Sequence, residues 1–186
     1  MLIGITGPQG SGKTSVTNYI GDSLSIKVIH IDELAHQLLD INLYNEVLSW
    51  FNLPREEKVD RKVLGSLLFS SQELMEKYNA RIYELILVRL KEIIAHEENL
   101  IIDWNFLPIS DLFDMCDLKV LVTAPLIERI KRVVKRDNIS ESYAYEREKN
   151  GIQYDSSDYD LVLNNFNIEL EYLVSEVKSL LCKWVF

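Results

Sequence analysis

The chain has 186 residues, enough for one α/β domain with a substantial core, and carries a net charge of −9. That acidic balance, with a pI near 4.9, argues against a nucleic-acid partner, because a protein that neutralises many phosphates shows a basic face. No apolar stretch approaches the roughly 18–20 residues of a membrane span, and the first residues lack the charged opening of a signal peptide, so a cytoplasmic protein is expected.

The first run, Leu2–Thr6, is apolar with little alternation, as expected of a strand covered on both faces. It leads into Gly7-Pro8-Gln9-Gly10-Ser11-Gly12-Lys13-Thr14, which fits G-x-x-x-x-G-K-[ST], and Ser15–Ile20 then reads as the start of a helix. Strand, glycine turn and helix in that order are the context of a phosphate-binding P-loop. The glycines let the backbone close around a polyphosphate, so that its N–H groups form an anion nest at a helix N-terminus. Gly7, Gln9, Gly10, Ser11, Gly12, Lys13, Thr14 and Ser15 are the candidate nucleotide-binding residues. Lys13 supplies a mobile cation for the terminal phosphates, and the Thr14 hydroxyl is placed to hold Mg²⁺. The expected ligand is a nucleoside triphosphate with Mg²⁺. A glycine-rich turn that matches by chance is the competing reading, and the flanking context weighs against it.

The second run, Lys27–Ile31, precedes Asp32. A carboxylate just beyond a strand end is well placed to accept the proton of an acceptor hydroxyl, so Asp32 is the candidate general base. Its competing role is to cap a helix beginning at Glu33. His30 shares a strand face with Asp32 and either orients it, touches the acceptor or sits behind it as a satisfied polar group. Glu33–Asn99 is almost wholly helical in pattern; within Glu73–His96 a stripe runs through Leu74, Tyr78, Ile82, Leu85, Ile86, Leu90 and Ile93. Trp50, Tyr78, Tyr83 and Trp104 are either core or contacts for a bound adenine-like ring.

Leu100–Trp104 is the third run, and Asp103 closes it in the manner of a Walker-B carboxylate that reaches Mg²⁺ through water; a turn cap is the alternative. Leu118–Thr123 follows, then a helix over Pro125–Arg136 with Pro125 at its opening turn. A further helix spans Ser140–Lys149 and stops at Gly151, Leu161–Asn164 is the fifth run, and Glu169–Lys183 is the closing helix. Cys116 and Cys182 have no metal-ligand spacing and read as buried thiols. This alternation predicts a three-layer α/β fold, a parallel sheet of about five strands with helices on both faces. Ligands of such sheets bind beyond the carboxyl ends of the strands.

No N-K-x-D element of a GTPase and no serine-glycine-glycine signature of an ABC ATPase occurs, which leaves a small kinase. Such enzymes bring basic residues from a lid to the transferred phosphoryl group. Arg136 and Arg147 are the candidates, with Arg132 third; on a solvated helix face, pairs such as Glu128–Arg132 contribute only about 0.3 kcal/mol. Asn165 either faces the adenine or forms a turn.

Five segments together resemble the dephospho-coenzyme A kinase family. Ile3–Gly7 through Lys13-Thr14 is similar to its opening strand and P-loop, and Val28–His36 to its V-I-D-A-D-x-x-A-[RH] segment. Val59–Phe69 resembles its D-R-x-x-L-G-x-x-V-F element, Lys135–Glu141 its K-R-D-x-[IL]-S-E lid segment, and Asp160–Asn165 its A-D-x-V-I-x-N strand. The resemblance implies a P-loop kinase domain over residues 1–186, with a helical acceptor-binding segment at 33–99 and a lid at 136–158. It implies catalytic roles for Lys13, Asp32, Arg136 and Arg147, ATP contacts from Arg132 and Asn165, and Mg²⁺ ligation through Thr14 and Asp103. The implied activity is phosphorylation of the ribose 3′-hydroxyl of dephospho-CoA by a monomer that acts on a small molecule. Departures lie in the acceptor half: His30 replaces the first aspartate, Tyr83-Glu84 a His-Pro pair, Asp103–Leu107 only part of D-x-P-L-L-F-E, and Gly151 a lid glutamine. A nucleoside or nucleotide kinase of the same fold, and an ATP-binding regulatory protein with a decayed acceptor site, are the alternatives.

Overall fold

A computed structural model describes residues 1–51 and 60–184. In chain order the elements are β1 (Leu2–Thr6), α1 (Lys13–Leu24), β2 (Lys27–His30), α2 (Ile31–Leu38), a π-helical turn (Leu39–Leu43), α3 (Tyr44–Phe51), α4 (Arg61–Phe69) and α5 (Gln72–Ile94). Then come β3 (Leu100–Asp103), α6 (Leu112–Met115), β4 (Leu118–Thr123), α7 (Leu126–Asp137), α8 (Glu141–Lys149), β5 (Leu161–Asn164) and α9 (Leu170–Trp184). They group into two compact units: Met1–Ile29 with the chain from Asn99 onward, and His30–Glu98. Of the Val59–Phe69 element, Val59 lies outside the described residues.

The sheet has the order β2-β3-β1-β4-β5, the five-stranded parallel arrangement expected. β1 is buried along its whole length because it is central, pairing in parallel with β3 (Leu2↔Leu100) and β4 (Ile3↔Leu118). Leaving β1, the chain passes over β3 to build β2, whereas β4 and β5 lie on the other side. This makes the carboxyl end of β1 the switch point where an open α/β sheet forms its crevice. Val16 and Ile20 of α1 and Leu173, Val174 and Val177 of α9 pack with Ile3, Ile5, Ile101, Val120 and Leu163 in one apolar cluster. A Cβ on Gly4 would come within 2.6 Å of Cys116 Sγ and 2.7 Å of Leu107 Cδ2, so strand and covering side chains meet there without spare room.

Three expectations change. β2 ends at His30, and Ile31 opens α2 instead of closing the strand. Ile31, Leu34 and Leu38 are all buried at helical spacing, and Asp32 and Glu33 place acidic charge in the first turn, where the helix dipole favours it. β3 stops at Asp103, although the Trp104 N–H still donates to Ile5 O at 3.1 Å. Of the two thiols only Cys116 is buried; Cys182 is exposed on α9. The Cys116 thiol donates to Leu112 O at 3.2 Å, and burial pushes its pKa up to about 12.

The second unit is helical, as its sequence pattern predicts. In α5 the inward face of the stripe narrows to Ile82, Ile86 and Leu90, and Ser71 caps the helix by accepting from Leu74 N–H at 3.4 Å. Ile31, Leu34, Leu38, Leu39, Leu43, Val47, Leu64 and Leu68 supply further buried positions.

Candidate active site

The P-loop leaves β1 at a place with no room for a side chain: a Cβ on Gly7 would lie 2.1 Å from Val122 O of β4. At the far end Gly12 adopts φ +81° as the residue preceding α1, a conformation that other residues rarely adopt. α1 then starts at Lys13 with no capping side chain and no acidic residue in its first turn. Its unpaired N–H groups and the positive end of its dipole are thereby left for an anion from outside the chain. Ser11 is 1% exposed and its Oγ has no hydrogen-bond partner, a buried polar atom that a phosphate oxygen would satisfy. Thr14, Ser15 and Gln9 are exposed around the loop.

For its N–H groups to converge, the loop must turn carbonyls outward, and α7 and the chain after β5 meet them. Arg132 Nη1 donates to Gly10 O and Ser11 O, both at 3.2 Å, and its Nη2 to Asn165 O at 3.1 Å. Asn165 Nδ2 donates to Ser11 O at 2.8 Å. These two residues, expected to face the nucleotide, spend the polar groups that form these bonds on the loop backbone. Arg129 donates to Ala124 O at 3.1 Å, Gln9 O at 3.4 Å and Glu148 Oε1 at 2.6 Å.

The Lys13 ammonium is paired with Asp103 Oδ1, and the two side chains are 10% and 2% exposed. Lys13, Thr14 and Asp103 are thus positioned by the adjacent strands β1 and β3. Beside them the Thr6 hydroxyl and the Tyr154 phenol both donate to Asn105 O, at 3.3 and 3.1 Å. Among the described residues no group of three or more His, Cys, Asp or Glu side chains could hold a metal by itself. Magnesium sites that rely on substrate phosphates need only one or two protein ligands, and a hydroxyl with a buried carboxylate fits that requirement.

Arg136 and Arg147, the arginines expected to belong to a lid, converge on one carboxylate. Arg136 grips Asp137 through Nε and Nη2 at 2.7 and 3.0 Å, and Arg147 Nη1 reaches Asp137 Oδ2 at 2.8 Å. Asn138 turns the chain with φ +52°, and Ser140 caps α8 by accepting from Tyr143 N–H at 3.3 Å. The hydrogen bonds from Arg136, and secondarily Arg147, hold the Asp137 carboxyl down to about 2. Because its folded pKa lies below the ordinary 3.8, this clamp stabilises the protein above that value and is lost as pH falls from 3.8 towards about 2. The melting-temperature difference between wild type and Asp137→Asn should therefore be level near neutrality and shrink across that acidic window.

Asp32 belongs to the helical unit, and the geometry removes its capping role. His30 is the N-cap of α2, so Asp32 stands at the second helical position, with an exposed side chain. Sequence reasoning passed over Arg129, Asp137 and Tyr154. Arg129 carried a signal, because it precedes the buried Ile130 directly and lies four before the buried Val133, on the inward face of α7.

A switch-point P-loop, a lysine on a strand-end carboxylate and two arginines gathered at the α7–α8 turn mark a small P-loop phosphotransferase. The family described as dephospho-CoA kinase matches residues 1–168. The chain belongs to that family and is an ATP-dependent kinase. A dephospho-CoA kinase of Prochlorococcus marinus is 30% identical over 180 residues, covering 88% of this chain and 86% of that protein. One from Streptococcus thermophilus is 33% identical over 150 residues, 75% of each chain. Among solved structures, TT1252 from Thermus thermophilus is 26% identical with a TM-score of 0.83, covering 98% of this chain and 97% of that one. A shikimate kinase from Acinetobacter baumannii, at 10% identity and TM-score 0.60 over 98% and 93% of the chains, shares the fold alone.

Proposed function

We propose that this protein transfers the γ-phosphoryl group of ATP to the ribose 3′-hydroxyl of dephospho-CoA. The observation that carries the reading is the family match across residues 1–168, which spans the helical unit as well as the nucleotide loop. In this reading the P-loop N–H groups and Lys13 receive the β- and γ-phosphates, and Lys13 exchanges its carboxylate partner for them. Thr14 and Asp103 hold Mg²⁺, which when bound neutralises phosphate charge. Arg136 and Arg147 leave Asp137 to stabilise the transferring group, and Asp32 accepts the hydroxyl proton. Residues 33–99 receive the acceptor, 136–158 serve as a lid, and the protein works as a cytoplasmic monomer without nucleic-acid partners.

One departure from the family pattern is electrostatically milder than the sequence suggests. Glu84, in the place of the His-Pro pair, would add negative charge near an anionic acceptor. In the structure Arg81 Nη1 bonds Glu84 at 2.6 Å, and the same guanidinium reaches Glu46 through Nε and Nη2 at 3.4 and 3.3 Å. The charge of Glu84 is therefore partly offset within its own helix turn, by a guanidinium that it shares with Glu46.

A coupled assay with dephospho-CoA, adenosine and AMP as acceptors tests the proposal, with preferred turnover of dephospho-CoA expected. Turnover with AMP or adenosine and none with dephospho-CoA overturns it. Dephospho-CoA at a hundred times its Kd should also add about 2.7 kcal/mol of stability.

A further inference from the structure

We propose that Arg129 is a positioning residue that couples the P-loop to the lid, through Glu148, and so sets the register of Arg147 against the nucleotide loop. The inference rests on the reading of residues 136–158 as a lid and of Arg147 as a residue that meets the transferring phosphoryl group. Arg129 is 8% exposed, unusual for an arginine, and its guanidinium joins three separate pieces of structure. Nε is fixed on Ala124 O just after β4, Nη1 on Gln9 O at the tip of the P-loop, and Nη2 on Glu148 of α8. Its backbone also bears on the loop: a Cβ on Gly10 would fall 2.4 Å from Arg129 O. A change in the loop at Gln9-Gly10 is therefore felt by this one residue from two directions.

On the lid side, Glu148 directly follows Arg147. The helix is held to α7 at two further points, the Arg147–Asp137 bond and a small apolar cluster of Ile130, Val133 and Ala144. Of these three fastenings only the Arg129–Glu148 pair reaches the P-loop. Its side chains are 10% and 27% exposed, so water screens it less than it screens a surface pair. When a nucleotide orders the loop, the rigid fork of Arg129 carries that ordering to Glu148, and with it to the neighbouring Arg147. A lid set this way closes in register, excluding water from the phosphoryl group.

Two measurements on the full chain test the coupling. In hydrogen exchange with and without a non-hydrolysable ATP analogue, wild type should gain protection in both the P-loop and α8. Glu148→Gln should keep the gain in the loop and lose it in α8. This readout needs only nucleotide binding, so it stands even if dephospho-CoA proves not to be the acceptor. With whichever acceptor the wild type uses, acceptor-independent ATP hydrolysis relative to transfer should rise about tenfold in Glu148→Gln, with KM for ATP little changed. Arg129→Lys, which keeps the charge but cannot make three bonds in one plane, should show the same pattern in a folded protein. Equal α8 protection in wild type and Glu148→Gln, or a parallel fall of hydrolysis and transfer in both variants, overturns the proposal and leaves the pair a structural fastening.

Discussion

Lys13→Ala is expected to abolish phosphoryl transfer, measured as loss of turnover at saturating ATP, and to lower stability as well. The loss of activity follows from removing the one P-loop side chain that can follow the terminal phosphates. The stability cost follows from the structure: Asp103 is 2% exposed, and the substitution takes away the ammonium that balances it. Removing one member of a buried ion pair costs about 3–5 kcal/mol, and less where the remaining charge keeps other contacts. Lys13→Ala with Asp103→Asn should recover much of the melting temperature while staying inactive. A folded single variant with normal turnover would sink the P-loop assignment.

Asp32→Asn has the second largest expected effect, a fall in kcat of about 10²–10⁴-fold with ATP affinity little altered. Because Asp32 follows the first residue of α2 and is not its cap, the change should leave stability within about 0.3–1 kcal/mol, the worth of one acidic residue near a helix N-terminus. A pure loss of stability with kcat intact would show that the carboxylate serves the helix dipole alone.

How far the fold was legible follows from the kind of signal each part carries. The strands are short, apolar and bounded by glycine, proline or charge, so Leu118–Thr123 and Leu161–Asn164 agree with the structure to the residue. Boundaries failed where an apolar residue suits either state: Ile31 is fully buried as a helix opener and looks the same in sequence as a strand terminus. The P-loop was legible because a local motif states its own chemistry. The jobs of Arg129 and Arg132 were not, because they depend on partners more than a hundred residues away, at Gln9, Gly10 and Ser11. Arg136 and Arg147 were singled out as phosphate ligands, and their shared hold on Asp137 needed the turn at Asn138 to become visible.

The central place of β1 also bears on how the protein acquires its shape. The strand that carries the nucleotide loop has no sheet neighbour nearby in sequence: Leu2 pairs with Leu100, Ile3 with Leu118, and the Leu2 N–H bonds Asp117 Oδ2 at 2.7 Å. A ribosome must therefore add about a hundred residues beyond β1 before the strand can pair in a sheet, and the entropy of closing that long loop falls on that pairing step. During synthesis the apolar Leu2–Thr6 run lacks its strand partners for that interval, the stage at which such a strand is most open to chaperones and to mispairing.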